Sequence, residues 1–170
     1  MNSQPLIPAK ATTVDDQSDA IVVSFGVEWQ KQIIAKDFSI VIRKRVPKAA
    51  TFKWLYFHVN NPIGAICARA KIDKVFTATA KEALAFANCI HLSPADITAY
   101  LAGDNSIGCY QLGAFQFPLQ PLAAVEISAR MVYHPPQSFF IISKQAKIII
   151  DQMAGFSTAK DLRSGKKSKP

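Results

Sequence analysis

A long run of alternating side chains constrains the fold of this chain more than any other feature. From Ala65 to Ala78 (AICARAKIDKVFTA), small or apolar residues alternate with polar or charged ones. Successive side chains of a β-strand point to opposite faces, whereas a helix repeats about every 3.6 residues. The segment therefore predicts one long or bulged strand. Shorter β-branched, aromatic or alternating segments predict further strands at 21–25, 38–45, 54–60, 108–117 and 122–131.

Helices are predicted where a capping residue precedes an apolar pattern. Thr79, with Glu82 three residues later, has the spacing of a capping box. Ser93 precedes Pro94, which suits the first position of a helix. Two more helices are predicted at 27–37 and 143–154, the last one short. Strands that are mostly sequence neighbours, with helices at one side, predict an α+β fold, namely a small, partly open β-barrel flanked by two to three helices.

The composition is that of one domain. The chain has 170 residues, of which 49% are hydrophobic and 19% are charged, so a core can form and global disorder is excluded. We predict a disordered arm over residues 1–19, a folded domain over 20–155 and a basic disordered tail over 156–170. Apolar runs are too short for a membrane helix of roughly 18–20 residues, and no signal-peptide pattern opens the chain, so no membrane partner is expected. Three separated cysteines without a CxxC pair predict reduced thiols in the cytoplasm.

Positive charge is the strongest indication of function. The net charge is +8, and residues 21–150 alone carry 14 basic and seven acidic side chains. The folded part is therefore basic by itself, which favours a polyanionic partner. We expect RNA as that partner, with DNA as a second candidate. The simpler interpretation is that the excess charge only keeps the protein dissolved.

The segment FSIVIRKRVPK (38–48) ends a predicted strand in a cluster of cations. Arg43 and Arg45 share one face of the strand, and Lys44 points the other way. Paired guanidinium groups at a barrel mouth can hold a phosphate or lie flat on a base. Lys48 and Lys53 would extend the positive rim. The alternative is a charged strand end that only prevents edge pairing.

Aromatic and polar residues elsewhere complete the candidate nucleic-acid site. Trp54 and Tyr56 alternate with core residues, so they form either an exposed stacking row together with His58 or a second packed core. Arg69 adds positive charge, either to the site or to a solvated surface. Two polar residues, Gln137 and Ser138, can form hydrogen bonds with a base edge, or with backbone groups near the two neighbouring prolines. A further pair, Ser24 and Glu28, is a weaker candidate for the same mouth.

Metal and cofactor sites are not indicated. The three histidines are widely spaced and pair with no cysteine at ligand spacing, so no metal is expected. The segment GAICARAK lacks the Lys-Ser/Thr ending of a phosphate-binding loop. We therefore expect no cofactor. The sequence leaves the oligomeric state undetermined.

Three segments together resemble the ASCH domain, a branch of the PUA-like superfamily. They are VVSFGVEWQKQIIAKDFSIVIRKRVP (22–47), LSPADITAYLAG (92–103) and HPPQSFFII (134–142). The resemblance covers residues 21–142 and implies a β-barrel flanked by helices. PUA-like domains commonly bind RNA or read modified bases, so the resemblance implies nucleic-acid work.

One ASCH branch is enzymatic and hydrolyses an acetylated cytidine with a Lys-x-x-Thr pair and a Glu. Aligning the family arginine on Arg43 places the Thr at Val41 and the Lys at Phe38, and the Glu lands near Asn88. None of the three matches. Because nucleophilic catalysis needs both the hydroxyl and the group that activates it, this activity is not expected here.

The sequence thus favours a PUA-like ASCH domain that binds RNA or a modified base as a regulatory or binding module. A divergent hydrolase of a modified nucleoside, or a nuclease, is the first alternative. A protein-interaction module for an acidic partner is the second. Enzymatic activity stays open, with the missing Lys-x-x-Thr pair arguing against it.

Overall fold

The computed structural model describes residues 17–47 and 52–156. Seven strands lie in this part of the chain: β1 (Gln17–Phe25), β2 (Ile40–Arg43), β3 (Trp54–Val59), β4 (Ala65–Thr79), β5 (Ser106–Gln116), β6 (Leu122–Ala123) and β7 (Phe139–Ser143). A 3-10 turn (Val27–Trp29) leads into α1 (Gln30–Ala35). The other helices are α2 (Ala80–Ala85), α3 (Ala87–Ile90), α4 (Pro94–Leu101), α5 (Ala124–Ser128) and α6 (Lys144–Ala154).

The strands form one sheet in the order β2-β5-β4-β3-β1-β7, with the short β6 paired to β4. Only β1 and β3 run parallel among these pairs. The register of the long strand β4 against β5 shifts between Ala70 and Lys74, and such bulges bend a strand. The sheet therefore curves without closing within the described residues. The expected α+β fold with a partly open barrel is confirmed.

Three apolar clusters cover both faces of the sheet. The barrel interior holds Ile21, Val23 and Phe57 among others. On the outer face, Val22 and Tyr56 pack against α6 and the segment before β7. A third cluster joins β2 and β5 to α2, α3 and α4. Both faces of the central strands are therefore buried, as in a sheet sandwiched between layers.

Local capping signals proved reliable. The Thr79 hydroxyl accepts from the Glu82 N–H at 3.2 Å, and the Glu82 carboxylate accepts the Thr79 N–H at 2.7 Å, which is the predicted capping box. Ser93 caps α4 with Pro94 in its first turn. The last helix begins at its own serine cap and extends over eleven residues. The described chain has six α-helices, more than the two to three expected, because several are single turns.

The strand predicted at 122–131 is wrong. Only Leu122 and Ala123 pair with β4, and the chain then forms α5. The Glu126 carboxylate accepts the Ala123 N–H at 3.1 Å, which closes the first helical turn, and Ile127 is buried beneath it. The acid at the third helical position outweighed the β-branched residues.

The chain termini lie largely outside the described residues. Residues 1–16 of the predicted arm (1–19) and residues 157–170 of the predicted tail (156–170) lie outside the described residues. Strand β1 begins at Gln17, inside the range predicted as arm. In the described ranges, no helix is long and apolar enough to cross a membrane.

Candidate functional site

A cleft of about 540 Å³ lies where the open edge of the sheet meets the helices. Its walls come from the end of β1, the 3-10 turn with α1, strand β2, and the segment joining α3 to α4. Sites for small ligands usually have volumes of about 300–1,000 Å³. The aromatic lining residues are Phe25, Trp29, Phe38 and Tyr100, and the polar ones are Glu28, Gln32, Arg43, His91 and Asp96.

Arg43 spans the opening of the sheet. Its Nη1 donates to the Ile42 carbonyl at 2.8 Å, and its Nη2 donates to the Ser24 carbonyl at 2.9 Å. The guanidinium carbon lies 4.5 Å from the centre of the Phe25 ring, close enough for a cation–π contact. Since β2 and β1 do not pair, this side chain provides a direct polar link between them.

The charge of Arg43 has no carboxylate partner in the described chain. No described Asp or Glu oxygen lies within 4.0 Å of its nitrogens. Burial lowers the pKa of the Arg43 guanidinium from 12.5, and the nearby Tyr100 and Tyr110 offset part of that shift. Arginine still keeps its charge at neutral pH. A half-buried cation therefore faces the cleft without an ion-pair partner among the described residues.

The side-chain amide oxygen of Gln32, another lining residue, lacks a hydrogen-bond partner in the described chain. The Oε1 atom of Gln32 is buried and accepts no hydrogen bond from the described residues. Buried polar atoms in folded proteins are nearly always paired, so an unpaired one calls for an explanation. Trp29 packs edge-on against Phe38 beside it, with ring centres 5.6 Å apart. Gln32 and these two rings line the same cleft.

The loop before β7 is hydrogen-bonded to Ser24, near the end of β1. The Ser24 N–H donates to the Ser138 carbonyl at 3.2 Å, and the Ser24 hydroxyl donates to the Pro136 carbonyl at 2.5 Å. Gln137 and Ser138 are exposed on this loop. The Ser24 carbonyl also accepts from Arg43. Arg43 and the loop that carries Gln137 and Ser138 are therefore both hydrogen-bonded to Ser24.

The other predicted cations are spread along the rim. Lys44 is about half exposed and pairs with Asp104 at 3.1 Å. Arg45 is exposed after the end of β2. Lys53 is exposed and lies 3.8 Å from Asp19, at the opposite end of β1 from the cleft. Lys48 lies outside the described residues.

Two predicted site residues are buried and cannot meet a ligand. Tyr56 has no exposed surface and Arg69 is 1% exposed, so neither an exposed aromatic row nor a solvated Arg69 exists. Arg69 pairs with Asp151 of α6 at 2.8 Å and lies 4.1 Å from the centre of the half-buried Trp54 ring. The packed alternative for this strand holds, because α6 covers its outer face.

Solved structures with a similar fold identify the architecture. The ASCH protein of Zymomonas mobilis superposes with a TM-score of 0.73 at 18% identity, covering 79% of this chain and 95% of that one. Two of its single-substitution mutants give the same score at 17% identity, covering about four fifths of this chain. This chain has the ASCH fold. The N-terminal domain of Staphylothermus marinus McrB is similar at a TM-score of 0.54 and 7% identity, covering 80% of this chain and 94% of that one. No protein-family model and no curated protein matches the sequence.

Two of the three positions that the resemblance aligns with the amidohydrolase residues lie in the cleft. Phe38 and Val41 both line the cleft and are both buried apolar residues. Neither offers a nucleophile or a group to activate one. Asn88 is exposed on α3 and is not among the lining residues.

The sequence missed several residues of this ASCH cleft. Trp29 and Gln32 are three residues apart, and Asp96 and Tyr100 are four apart, so each pair shares a helical face. That spacing predicts a common helical face, but it does not predict which other elements of the fold that face contacts. His91 also lines the cleft. It is the residue that ends α3, and its backbone is left-handed, at φ 60°. No local pattern marked it.

Proposed function

We propose that the cleft beside Arg43 binds RNA by accepting one unpaired base, and that the protein acts as a binding or regulatory module. The observation that carries this proposal is the half-buried Arg43 cation, which has no described carboxylate partner in an aromatic cleft of about 540 Å³. Proteins that read single bases hold them between aromatic or apolar side chains with hydrogen bonds to the base edge.

The charges in the cleft favour a base over a phosphate. Glu28 and Asp96 line the same cavity as Arg43. Two carboxylates repel a phosphate, but they accept hydrogen bonds from the exocyclic amino group of a base. The phosphate groups then remain on the rim, where the exposed Arg45 and the Gln137–Ser138 loop lie.

The polar atoms of the cleft can pair with a base edge. The guanidinium of Arg43 can donate to a carbonyl or ring nitrogen, as it does in many contacts with guanine. Gln32 lines the same cleft, and a side-chain amide can both donate to and accept from a base edge. Trp29 and Phe38 provide the apolar walls. The net charge of the region 21–150 attracts the polyanion over longer distances.

A fluorescence-anisotropy titration tests the proposal. Labelled single-stranded RNA, duplex RNA and duplex DNA would be titrated with the wild type at two salt concentrations. We expect single-stranded RNA to bind best and Arg43→Met to weaken it at least tenfold. Arg130→Ala, which removes an exposed cation that does not line the cleft, is the matched control. Unfolding curves confirm that each variant folds.

A chain ending at Phe156 separates the cleft from the tail. Phe156 is buried beside Arg69, so the truncation must keep it. If the truncation abolishes binding and Arg43→Met does not, the tail is a general polyanion hook and the proposal fails. If the protein binds no RNA at low salt, the proposal fails as well, and an acidic protein partner becomes the hypothesis to test.

A second candidate function is cleavage of RNA, in which a phosphate and the neighbouring 2′-hydroxyl enter the cleft in place of a base. Glu28 and His91 line the cleft together with Arg43, which provides two groups able to transfer protons and one cation. One group would take the proton of a 2′-hydroxyl, whose oxygen attacks the neighbouring phosphorus. The other would protonate the departing 5′-oxygen while Arg43 stabilises the charge on phosphorus.

Cleavage is tested with end-labelled RNA on a gel. Cleavage expected from this geometry persists in EDTA and leaves a cyclic phosphate. It is lost in Glu28→Gln and His91→Gln and in an RNA with 2′-deoxy sugars. Intact RNA after prolonged incubation with saturating wild-type protein would rule this candidate out, and the binding proposal would stand unaffected.

A further inference from the structure

Two exposed aromatic rings, one in the cleft wall and one outside the cleft, each contact a lysine. Among the Phe, Trp and Tyr side chains of the described residues, only Tyr100 and Phe117 are exposed, at 37% and 39%. The Lys44 nitrogen lies 5.9 Å from the Tyr100 ring centre, and the Lys36 nitrogen lies 5.4 Å from that of Phe117. An exposed ring next to a flexible cation is the combination that single-stranded nucleic acid uses for stacking and phosphate contact.

The Phe117 ring ends a stack that begins inside the barrel. Phe57 and Phe115 are stacked at 15° with centres 5.4 Å apart. Phe115 and Phe117 continue the stack at 24° and 6.4 Å. Phe57 is buried and Phe115 is half-buried, so packing inside the barrel holds the ring on which Phe117 stacks. A base placed on Phe117 would extend a stack that already exists.

One of the two rings lines the cleft, and the other is connected to its wall through ring contacts. Tyr100 itself lines the cleft. Phe117 is two ring contacts away from the cleft wall, since Phe115 lies 5.9 Å from Phe38 and 6.4 Å from Phe117. Tyr100 therefore lies on the cleft wall formed by α4, and Phe117 lies outside the cleft, just after β5.

We propose that a single RNA strand of at least three nucleotides crosses the cleft, with its flanking bases stacked on Tyr100 and Phe117. This inference rests on the proposed function of the cleft. Lys36 and Lys44 would leave the rings and contact phosphates as the bases arrive. A duplex does not fit this arrangement, because its bases are already stacked on one another and present no free faces.

The two lysines should contribute unequally. Lys44 is already engaged with the Asp104 carboxylate at 3.1 Å and the Leu101 carbonyl at 3.4 Å. Lys36 forms no ion pair with any described residue. Lys36 is therefore the freer of the two to neutralise a phosphate. Removing one phosphate contact lowers the slope of log K against log salt by about 0.7 for a single strand.

A length series tests the inference. Unlabelled oligoribonucleotides of one to seven nucleotides would compete with a labelled heptamer for the protein. We expect affinity to rise steeply up to three to five nucleotides. Loss of one stacked base corresponds to a weakening of about 5- to 150-fold. Phe117→Ala should show that loss for the longer oligomers only, and Phe117→Trp should restore the affinity.

Lys74→Gln is the matched control for Lys36→Gln. The Lys74 nitrogen lies 5.3 Å from the centre of the Phe76 ring, a similar pair whose ring packs instead on Phe86, between α2 and α3. We expect a reduced salt slope for Lys36→Gln and an unchanged one for Lys74→Gln. Equal affinity at every length, or equal weakening of mononucleotide and heptamer by Phe117→Ala, overturns the inference and leaves the cleft proposal standing. Absence of any RNA binding by the wild type overturns both.

Discussion

The buried carboxylate of Asp151 gives the sharpest test of how α6 is held on the sheet. One of its oxygens accepts from Arg69 Nη1 at 2.8 Å and from the Tyr56 hydroxyl. The other accepts from Lys147 at 2.9 Å. Asp151 is 4% exposed and Arg69 is 1% exposed. The substitution Asp151→Ala would therefore leave a buried guanidinium without its anion.

The expected cost of Asp151→Ala follows from that geometry. Removing one partner of a buried ion pair costs about 3–5 kcal/mol, because the other charge stays buried and uncompensated. Arg69 would keep its contact with Gln116 at 2.8 Å, but the Tyr56 hydrogen would lose its acceptor. A loss of about 4 kcal/mol is a large part of the roughly 5–15 kcal/mol that stabilises a typical domain.

Urea denaturation at pH 7, followed by tryptophan fluorescence, measures this cost. Trp54 lies 4.1 Å from the Arg69 guanidinium, so it reports on the environment of the pair. The control Lys147→Ala removes a partly exposed partner one helical turn away and should cost only about 0.3–1 kcal/mol.

Removing the whole buried set should restore stability. The triple variant Asp151→Leu, Arg69→Met, Tyr56→Phe leaves no buried charge, and apolar replacements of buried pairs are often neutral or stabilising. We expect it to be more stable than Asp151→Ala by at least about 2 kcal/mol. A cost below about 1 kcal/mol for Asp151→Ala, or a triple variant less stable than the single one, would refute the reasoning.

Three further predictions concern titration, thiol reactivity and packing. Burial lowers the pKa of His58 from 6.5, so the unfolded chain binds more protons than the folded one below about pH 6.5. Stability should fall as the pH drops through that range, and the unfolding free energy of His58→Gln should depend less on pH. Cys89 is the exposed cysteine, so a thiol reagent should modify one site quickly and the other two only on unfolding. A Cβ on Gly108 would lie 2.3 Å from Val46 and 3.1 Å from the Arg43 carbonyl, so Gly108→Ala should cost about 1–3 kcal/mol in urea denaturation; a neutral result would contradict this packing.

The parts of the fold that sequence predicts are those with local causes. The alternation from Ala65 identifies β4 because the period belongs to the strand itself. Thr79 and Ser93 mark helix starts because each side chain bonds to a backbone group three residues away. The error at 122–131 is also local in origin, since a short apolar segment with Val125 and Ile127 fits a strand as well as a helix.

The site depends on contacts that no local pattern encodes. Whether Arg69 faces solvent or core is decided by Asp151, which follows it by 82 residues. Alternation alone assigns Arg69 to one face of β4, but α6 determines that this face is covered. Likewise, the sequence places Arg43 at a strand end, and only the pairing of β2 with β5 brings it next to Tyr100 on α4 and Ser24 on β1.

The open edge of the sheet explains why the cleft and its cation occur together. In a closed barrel, backbone groups of neighbouring strands satisfy one another, and no gap remains between the strands. Here β2 pairs only with β5, and the carbonyl of Ser24 is satisfied by the Arg43 side chain instead of a neighbouring strand. A guanidinium has enough donors to hold two carbonyls and still present others to the cleft, which a lysine ammonium on a flexible stem does not do with the same geometry. The group that completes the barrel wall is therefore also the group that we propose to contact the base, so substitutions at Arg43 must be judged by folding and by binding together.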